Sequence, residues 1–173
     1  MKGVFILLMA ACLFPVCGSA RLGETREQCE NRYGKPVEKN DLADPYGTKL
    51  AESFKYRKGF FEITIVYHKN KTGMIIYRKI DGAGGYVDIS EDEIGVLLQA
   101  NKRGDRWYGC TDAGKRIAPV YGGNLEAGSD GNGWISSNAI GVYDRSKKIL
   151  IFLADEYVYW FDYGRFNADM KDF

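Results

Sequence analysis

Residues 22–36 read LGETREQCENRYGKP, and they determine how the first part of the chain is expected to fold. Thr25 and Gln28 have the spacing of a capping box, in which the threonine hydroxyl and the glutamine side chain satisfy backbone N–H groups of the first helical turn. Gly34 can take the left-handed conformation that ends a helix, and Pro36 prevents the helix from continuing. The stretch therefore predicts a helix that begins directly after Thr25 and is too short to stay folded unless it packs on another element.

This helix is expected to pack on the strands that follow it. Cys29 and Tyr33 are four residues apart, so they form one narrow apolar stripe that can face a core. The polar segment 37–47 is interpreted as a loop. Three runs rich in β-branched and aromatic residues follow, separated by breaks short enough for hairpins, and they predict an antiparallel meander; they are 51–57, 60–68 and 73–80.

A short motif in this first part resembles a known family. It consists of Gly23, Thr25, the hydrophobic position at Cys29, Gly34 and Pro36, followed by the strand meander. The motif resembles the module of the small outer-membrane-assembly lipoproteins of the SmpA/OmlA (BamE-like) type, whose fold is similar to that of the β-lactamase-inhibitor-protein group. The resemblance covers residues 22–80 and implies a helix laid on an antiparallel sheet.

The second part repeats this order of elements. Ser90 and Glu93 form another capping box, which predicts a helix that runs to about Lys102. Five strand-like runs follow it; they are 106–110, 115–121, 140–144, 148–154 and 157–163. The sequence thus predicts an α+β fold in which a short helix packs on an antiparallel β-meander, repeated twice in tandem over residues 21–81 and 86–173. One continuous domain is the alternative.

Residues 1–20 have the features of a secretory signal. Lys2 is followed by an almost unbroken apolar run over 4–16, and small residues at Gly18 and Ala20 suit a signal peptidase. The apolar run is shorter than the roughly 20 residues that a membrane-spanning helix needs. We therefore expect cleavage after Ala20 and a secreted or periplasmic protein without stable membrane insertion. A lipid anchor on Cys12 or Cys17 fits the sequence less well.

Charge and composition argue against several function classes. The chain has 24 Lys and Arg against 23 Asp and Glu, a balance that is atypical of nucleic-acid binding proteins. His68 is the only histidine, and no Cys or His pairs have the spacing of metal ligands, so we predict no catalytic, metal or cofactor site. Cys29 and Cys110 remain after cleavage, and they are expected to form either one disulfide bond or two unpaired thiols.

The most unusual segment is 157–163, which reads YVYWFDY. A strand with aromatic residues on both faces is either buried on both faces or exposes one face as a binding surface. On the second interpretation Tyr157, Tyr159 and Trp160 contact a partner. We therefore predict an exported, non-catalytic interaction or structural module that binds another envelope or extracellular protein. The alternative function is a secreted hydrolase that uses a carboxylate pair.

Overall fold

The computed structural model describes residues 21–43, 49–103, 106–121 and 133–157. In these ranges one antiparallel sheet contains nine strands in the order β1-β2-β3-β4-β9-β8-β7-β6, with β5 paired to β4. Three helices of eight to eleven residues lie in the described ranges together with the sheet. In chain order the elements are α1 (Arg26–Tyr33), β1 (Glu38–Ala43), β2 (Lys49–Lys58), β3 (Phe61–His68), β4 (Lys71–Ile80), β5 (Tyr86–Val87), α2 (Glu91–Asn101), β6 (Tyr108–Gly109), α3 (Ala113–Tyr121), β7 (Gly133–Ile135), β8 (Ala139–Asp144) and β9 (Ile149–Ala154).

Helix α1 forms as predicted, with both halves of its capping box. Thr25 Oγ1 accepts a hydrogen bond from the N–H of Gln28 at 3.3 Å, and Gln28 Oε1 accepts one from the N–H of Thr25 at 2.8 Å. Gly34 ends the helix with a φ of 85°. Cys29 and Tyr33 are both buried. The predicted apolar stripe is therefore the face that packs on the sheet.

Helix α2 confirms the second predicted capping box. Ser90 Oγ accepts from the N–H of Glu93 at 3.4 Å, and Glu93 Oε2 accepts from the N–H of Ser90 at 2.8 Å. Ile94, Leu97 and Asn101 are buried along one side of this helix. Their spacing of three and four residues is that of one helix face.

The predicted meander in the first part of the chain is confirmed as β2, β3 and β4. The turn between β3 and β4 contains Lys69 and Asn70 with φ values of 49° and 62°. Two consecutive positive φ values are typical of the tight turns whose twist matches antiparallel strands. The turn between β2 and β3 contains Gly59, with a φ of 56°, and Phe60.

The predicted fold class is wrong, because the two expected helix-and-meander units share a single sheet. Strand β4 pairs with β9, and Ile75 lies opposite Phe152 in this pairing. Every residue of β8 and β9 is buried. Strands that are apolar on both faces need cover on both sides and a neighbour at each edge, so β9 pairs with β4 in the middle of the sheet. In the described residues the protein is mainly antiparallel sheet with short helices.

Three predicted elements are also corrected. The segment 37–47 was expected to be a loop, but it contains β1, whose polar side chains suit an exposed edge strand. The expected strand 115–121 lies in helix α3, where Ala113 and Ile117 are buried four residues apart. Residues 155–157 are helical, so the strand expected to start at Tyr157 does not start there, and its remainder lies outside the described residues.

The core is rich in tyrosine where α1 meets the sheet. Tyr33, Tyr56, Tyr67 and Tyr77 are all buried, and the hydroxyl oxygens of Tyr56 and Tyr67 lie 3.3 Å apart, within hydrogen-bonding distance. This pairing satisfies polar atoms that would otherwise be costly to bury. In the described ranges, none of the helices combines the length and the apolar character that crossing a bilayer requires.

Candidate functional site

The most exposed large hydrophobic side chain in the described ranges belongs to Phe60, in the turn between β2 and β3. Its relative exposure is 67%. The backbone around it is well fixed, because the carbonyl of Phe60 accepts a hydrogen bond from the N–H of Ile80 at 2.7 Å. Gly59 supplies the positive φ that this tight turn requires. The turn thus presents an aromatic ring to solvent from a rigid part of the sheet.

A buried carboxylate lies directly beside this turn. Glu62 is in β3 opposite Arg57 of β2, and the two side chains share one face of the sheet. The hydroxyl of Tyr86 donates a 2.9 Å hydrogen bond to Glu62 Oε1. Arg57 Nη2 lies 3.8 Å from Glu62 Oε2, and the side chain of Arg57 is 65% exposed while that of Glu62 is 7% exposed. The carboxylate of Glu62 therefore orders the Tyr86 side chain through a hydrogen bond and attracts the exposed guanidinium of Arg57.

A second arginine completes this group of side chains. The guanidinium carbon of Arg78 lies 5.0 Å from the centre of the Tyr86 ring, a cation–π arrangement. Tyr86 is 41% exposed and reaches this position because β5 pairs with the end of β4. We call this group the hairpin surface; it consists of Arg57, Phe60, Arg78 and Tyr86 around Glu62.

Glu38 and Glu62 lie on the same face of the sheet, and they are candidates for the carboxylate pair of the hydrolase alternative. Lys55 Nζ lies 2.7 Å from Glu38 Oε2, and the charge of Glu62 also acts on Lys55. The hydrogen bond from Lys55 lowers the pKa of Glu38 below its usual range. A glycosidase-type pair needs one carboxyl group with a raised pKa that can donate a proton. The environment of Glu38 moves its pKa in the opposite direction.

His68, at the end of β3, is half-buried. Burial, and then the positive charge of Lys69, lower its pKa, so the imidazole is neutral at pH 7. Its ring centre lies 6.1 Å from that of Tyr157 in an edge-on arrangement. In the described part of the chain, no three His, Cys, Asp or Glu side chains lie close enough together to hold a metal ion.

The expected disulfide is not formed, because Cys29 and Cys110 are both free thiols. Cys29 is buried on the face of α1 that packs on β2, whereas the N–H of Cys110 donates to the carbonyl of Gly133 in β7. The sheet order puts four strands between β2 and β7, a distance of roughly 24 Å at the usual spacing of strands. A disulfide needs α-carbons within about 7 Å. Burial also raises the pKa of Cys29 to about 11, which keeps the thiol protonated at neutral pH.

The aromatic segment expected to contact a partner is only partly described. Tyr157 is 3% exposed, so the prediction that its side chain contacts a partner is wrong. Tyr159 and Trp160 lie outside the described residues. The hairpin surface was not predicted from the sequence, because Phe60 falls in the run 60–68 that was interpreted as a strand. A phenylalanine directly after Lys58 and Gly59, in a turn of two residues, is the signal that could have identified it.

Comparisons with known proteins assign no family or activity to the hairpin surface. No protein-family model, no curated protein and no solved structure matches the chain. The resemblance of residues 22–80 to the SmpA/OmlA lipoprotein module therefore stays a prediction.

Proposed function

We propose that this protein is an exported, non-catalytic interaction module of the cell envelope or extracellular space, and that its hairpin surface binds another protein there. The observation that carries the proposal is the exposed ring of Phe60 in the turn that adjoins the Arg57–Glu62 ion pair. Phenylalanine, tyrosine and arginine are the residue types enriched at the centres of protein interfaces. The predicted leader over residues 1–20 supports the expected compartment.

The hairpin surface suits binding because the Tyr86 side chain and the main chain at Phe60 are already ordered. Tyr86 is fixed by its hydrogen bond to Glu62, and the main chain at Phe60 is fixed by its hydrogen bond from Ile80. Side chains held in their bound positions lose little conformational entropy when a complex forms. A ring as exposed as that of Phe60 contributes little to folding, but its burial in a partner would remove a large apolar area from water.

The chemistry of the surface also defines the partner. Phe60 requires an apolar pocket, and Arg57 requires a carboxylate, which its guanidinium can bind through two parallel hydrogen bonds. The side chain of Glu62 is almost fully buried, whereas most of the Arg57 side chain is exposed and can contact a partner. We therefore expect a protein partner whose surface places an acidic side chain next to an apolar pocket.

Site-directed photo-crosslinking in the cells that make the protein tests this proposal. A photoreactive phenylalanine analogue at Phe60 should form an adduct with one specific envelope or extracellular protein, identified by mass spectrometry. The same analogue at Tyr108, which is exposed in β6 at the other side of the sheet, is the matched control and should not capture that protein. The proposal would be overturned if no adduct formed at Phe60, or if the analogue captured the same protein at Phe60 and at Tyr108.

Export is tested separately by the intact mass of the purified native protein. The predicted mature chain begins at Arg21. A retained leader, or a lipid on Cys12 or Cys17, would contradict this part of the proposal without affecting the assignment of the hairpin surface.

A further inference from the structure

A groove lies at the other end of β4, between the segment before α1 and the end of α2. This groove has a volume of about 490 Å³, which is in the range of small-molecule sites. We call it the N-terminal groove; it is lined by residues 21–24 and 28 on one side and by Gln99, Ala100, Lys102 and Arg103 on the other. Since the groove adjoins Thr72 and the hairpin surface adjoins Ile80, roughly 27 Å of extended β4 separates them.

The wall formed by the segment before α1 is fixed by hydrogen bonds to β4. The N–H of Gly23 donates to the carbonyl of Thr72 at 2.9 Å, and the N–H of Thr72 donates to the carbonyl of Glu24 at 2.8 Å. The hydroxyl of Thr72 donates to the carbonyl of Arg21 at 2.7 Å. Asn101, buried at the end of α2, accepts a hydrogen bond from the N–H of Leu22 and so joins the two walls.

Arg103, which lines the groove, has an unusual backbone conformation. Its φ is 38°, in the left-handed region that residues other than glycine rarely adopt. Gly23 has a φ of 83°, and a β-carbon there would lie 3.2 Å from Arg103 Nη2. The guanidinium thus occupies space that a side chain at position 23 would restrict. Such locally strained positions are concentrated at functional sites.

The groove carries an excess of positive charge. Arg21 and Lys102 are exposed, and neither forms an ion pair in the described residues. The carboxylate of Glu24 is neutralised by Arg32, whose Nη2 lies 2.6 Å from Glu24 Oε1. Arg103 Nη1 lies 3.3 Å from Glu156 Oε1, and within the described ranges the other N–H donors of its guanidinium make no hydrogen bond.

We propose that the N-terminal groove binds a small anion that carries more than one carboxylate or phosphate group. Arg103 would bind one oxyanion through two parallel hydrogen bonds, since its planar guanidinium matches the geometry of both groups. Lys102 and Arg21 provide separate positive charges for a second anionic group. This site is independent of the proposed function, because it shares no residue with the hairpin surface.

Isothermal titration of the mature protein at low ionic strength tests the proposal, with pyrophosphate, citrate and glucose as probes. We expect at least one of the two anions to bind and glucose not to bind; stronger binding of pyrophosphate would identify a phosphate ligand, and stronger binding of citrate a carboxylate ligand. Lys102→Glu should weaken binding at least tenfold. Arg103→Lys, which keeps the charge but loses the planar donor pair, should weaken it about as much.

The matched control is Lys115→Glu, which makes the same charge change at an exposed position of α3 and should leave binding within twofold. Phe60→Ala should also leave it unchanged, so failure of this site and failure of the hairpin surface are distinguishable. Two results would overturn the proposal: no binding of either anion to the folded protein, or equal loss of binding in Lys115→Glu and Lys102→Glu. Unchanged melting temperatures confirm that the variants are folded.

Discussion

The ring of Tyr157 fills the space beside Gly73 that the side chain of any other residue would occupy. A β-carbon at Gly73 would lie 2.2 Å from Cδ2 of this ring, far closer than two carbon atoms can approach. Gly73 belongs to β4, and Tyr157 follows shortly after β9, the neighbour of β4 in the sheet. The missing side chain at position 73 therefore allows the chain after β9 to pack on β4.

We expect Gly73→Ala to destabilise the fold, because the added methyl group must displace the Tyr157 ring. Overpacking of this kind costs about 1–3 kcal/mol in the free energy of unfolding, measured by urea denaturation. Gly82→Ala is the matched control, since a β-carbon there meets nothing within 4 Å and the position is exposed. Its effect should stay within about 0.5 kcal/mol. Similar losses in both variants would contradict the packing described here.

Local features of the fold were predictable from the sequence. The two capping boxes, at Thr25 and Ser90, depend on residues only three positions apart, and both helices begin where the sequence indicates. The meander of β2 to β4 was predictable for the same reason, because short turns connect consecutive strands. The pairing of β4 with β9 was not, since Ile75 and Phe152 are 77 positions apart and no local pattern links them.

The hairpin surface could not be predicted either, because some of its residues are also distant in sequence. Glu62 and Tyr86 are 24 positions apart, and no periodic pattern links them. Arg57 and Glu62 are close in sequence, but whether they face each other depends on the register of the hairpin. A shift of one residue would place them on opposite faces of the sheet. The position of the Gly59 turn fixes this register.

The thiol of Cys29 should make stability depend on alkaline pH. Burial raises its pKa from an ordinary value near 9.0 to about 11. Above pH 9 the unfolded chain loses this proton while the folded chain keeps it, so the free energy of unfolding falls as pH rises from about 9 to 11. The loss attributable to this group is on the order of 2 kcal/mol.

Urea denaturation at pH 8 and pH 11 measures this effect, with Cys29→Ala for comparison. The variant is expected to be less stable at pH 8 because it leaves a cavity, but it should lose less stability on the change to pH 11. Cys110→Ala is the control and should follow the wild-type dependence on pH more closely. An identical dependence on pH in wild type and Cys29→Ala would refute the assignment.

Asn101 is expected to be important for stability despite its polarity. It is buried, accepts a hydrogen bond from the N–H of Leu22 and donates one of 2.9 Å to the carbonyl of Leu97. Asn101→Ala leaves the N–H of Leu22 without its partner, which should cost about 1–3 kcal/mol. Hydrogen exchange at that amide should become faster. Gln99→Ala, on the exposed side of the same helix, should change neither quantity appreciably.

Phe60 is proposed to contact a protein partner and to contribute little to the fold. The most direct test is the affinity of the purified protein for the partner captured at Phe60, measured together with the melting temperature. For Phe60→Ala we predict a loss of affinity of about 30-fold, the scale of an interface hot spot, with an unchanged melting temperature. Tyr108→Ala, the matched exposed aromatic, should change neither. Wild-type affinity in a folded Phe60→Ala protein would contradict the account.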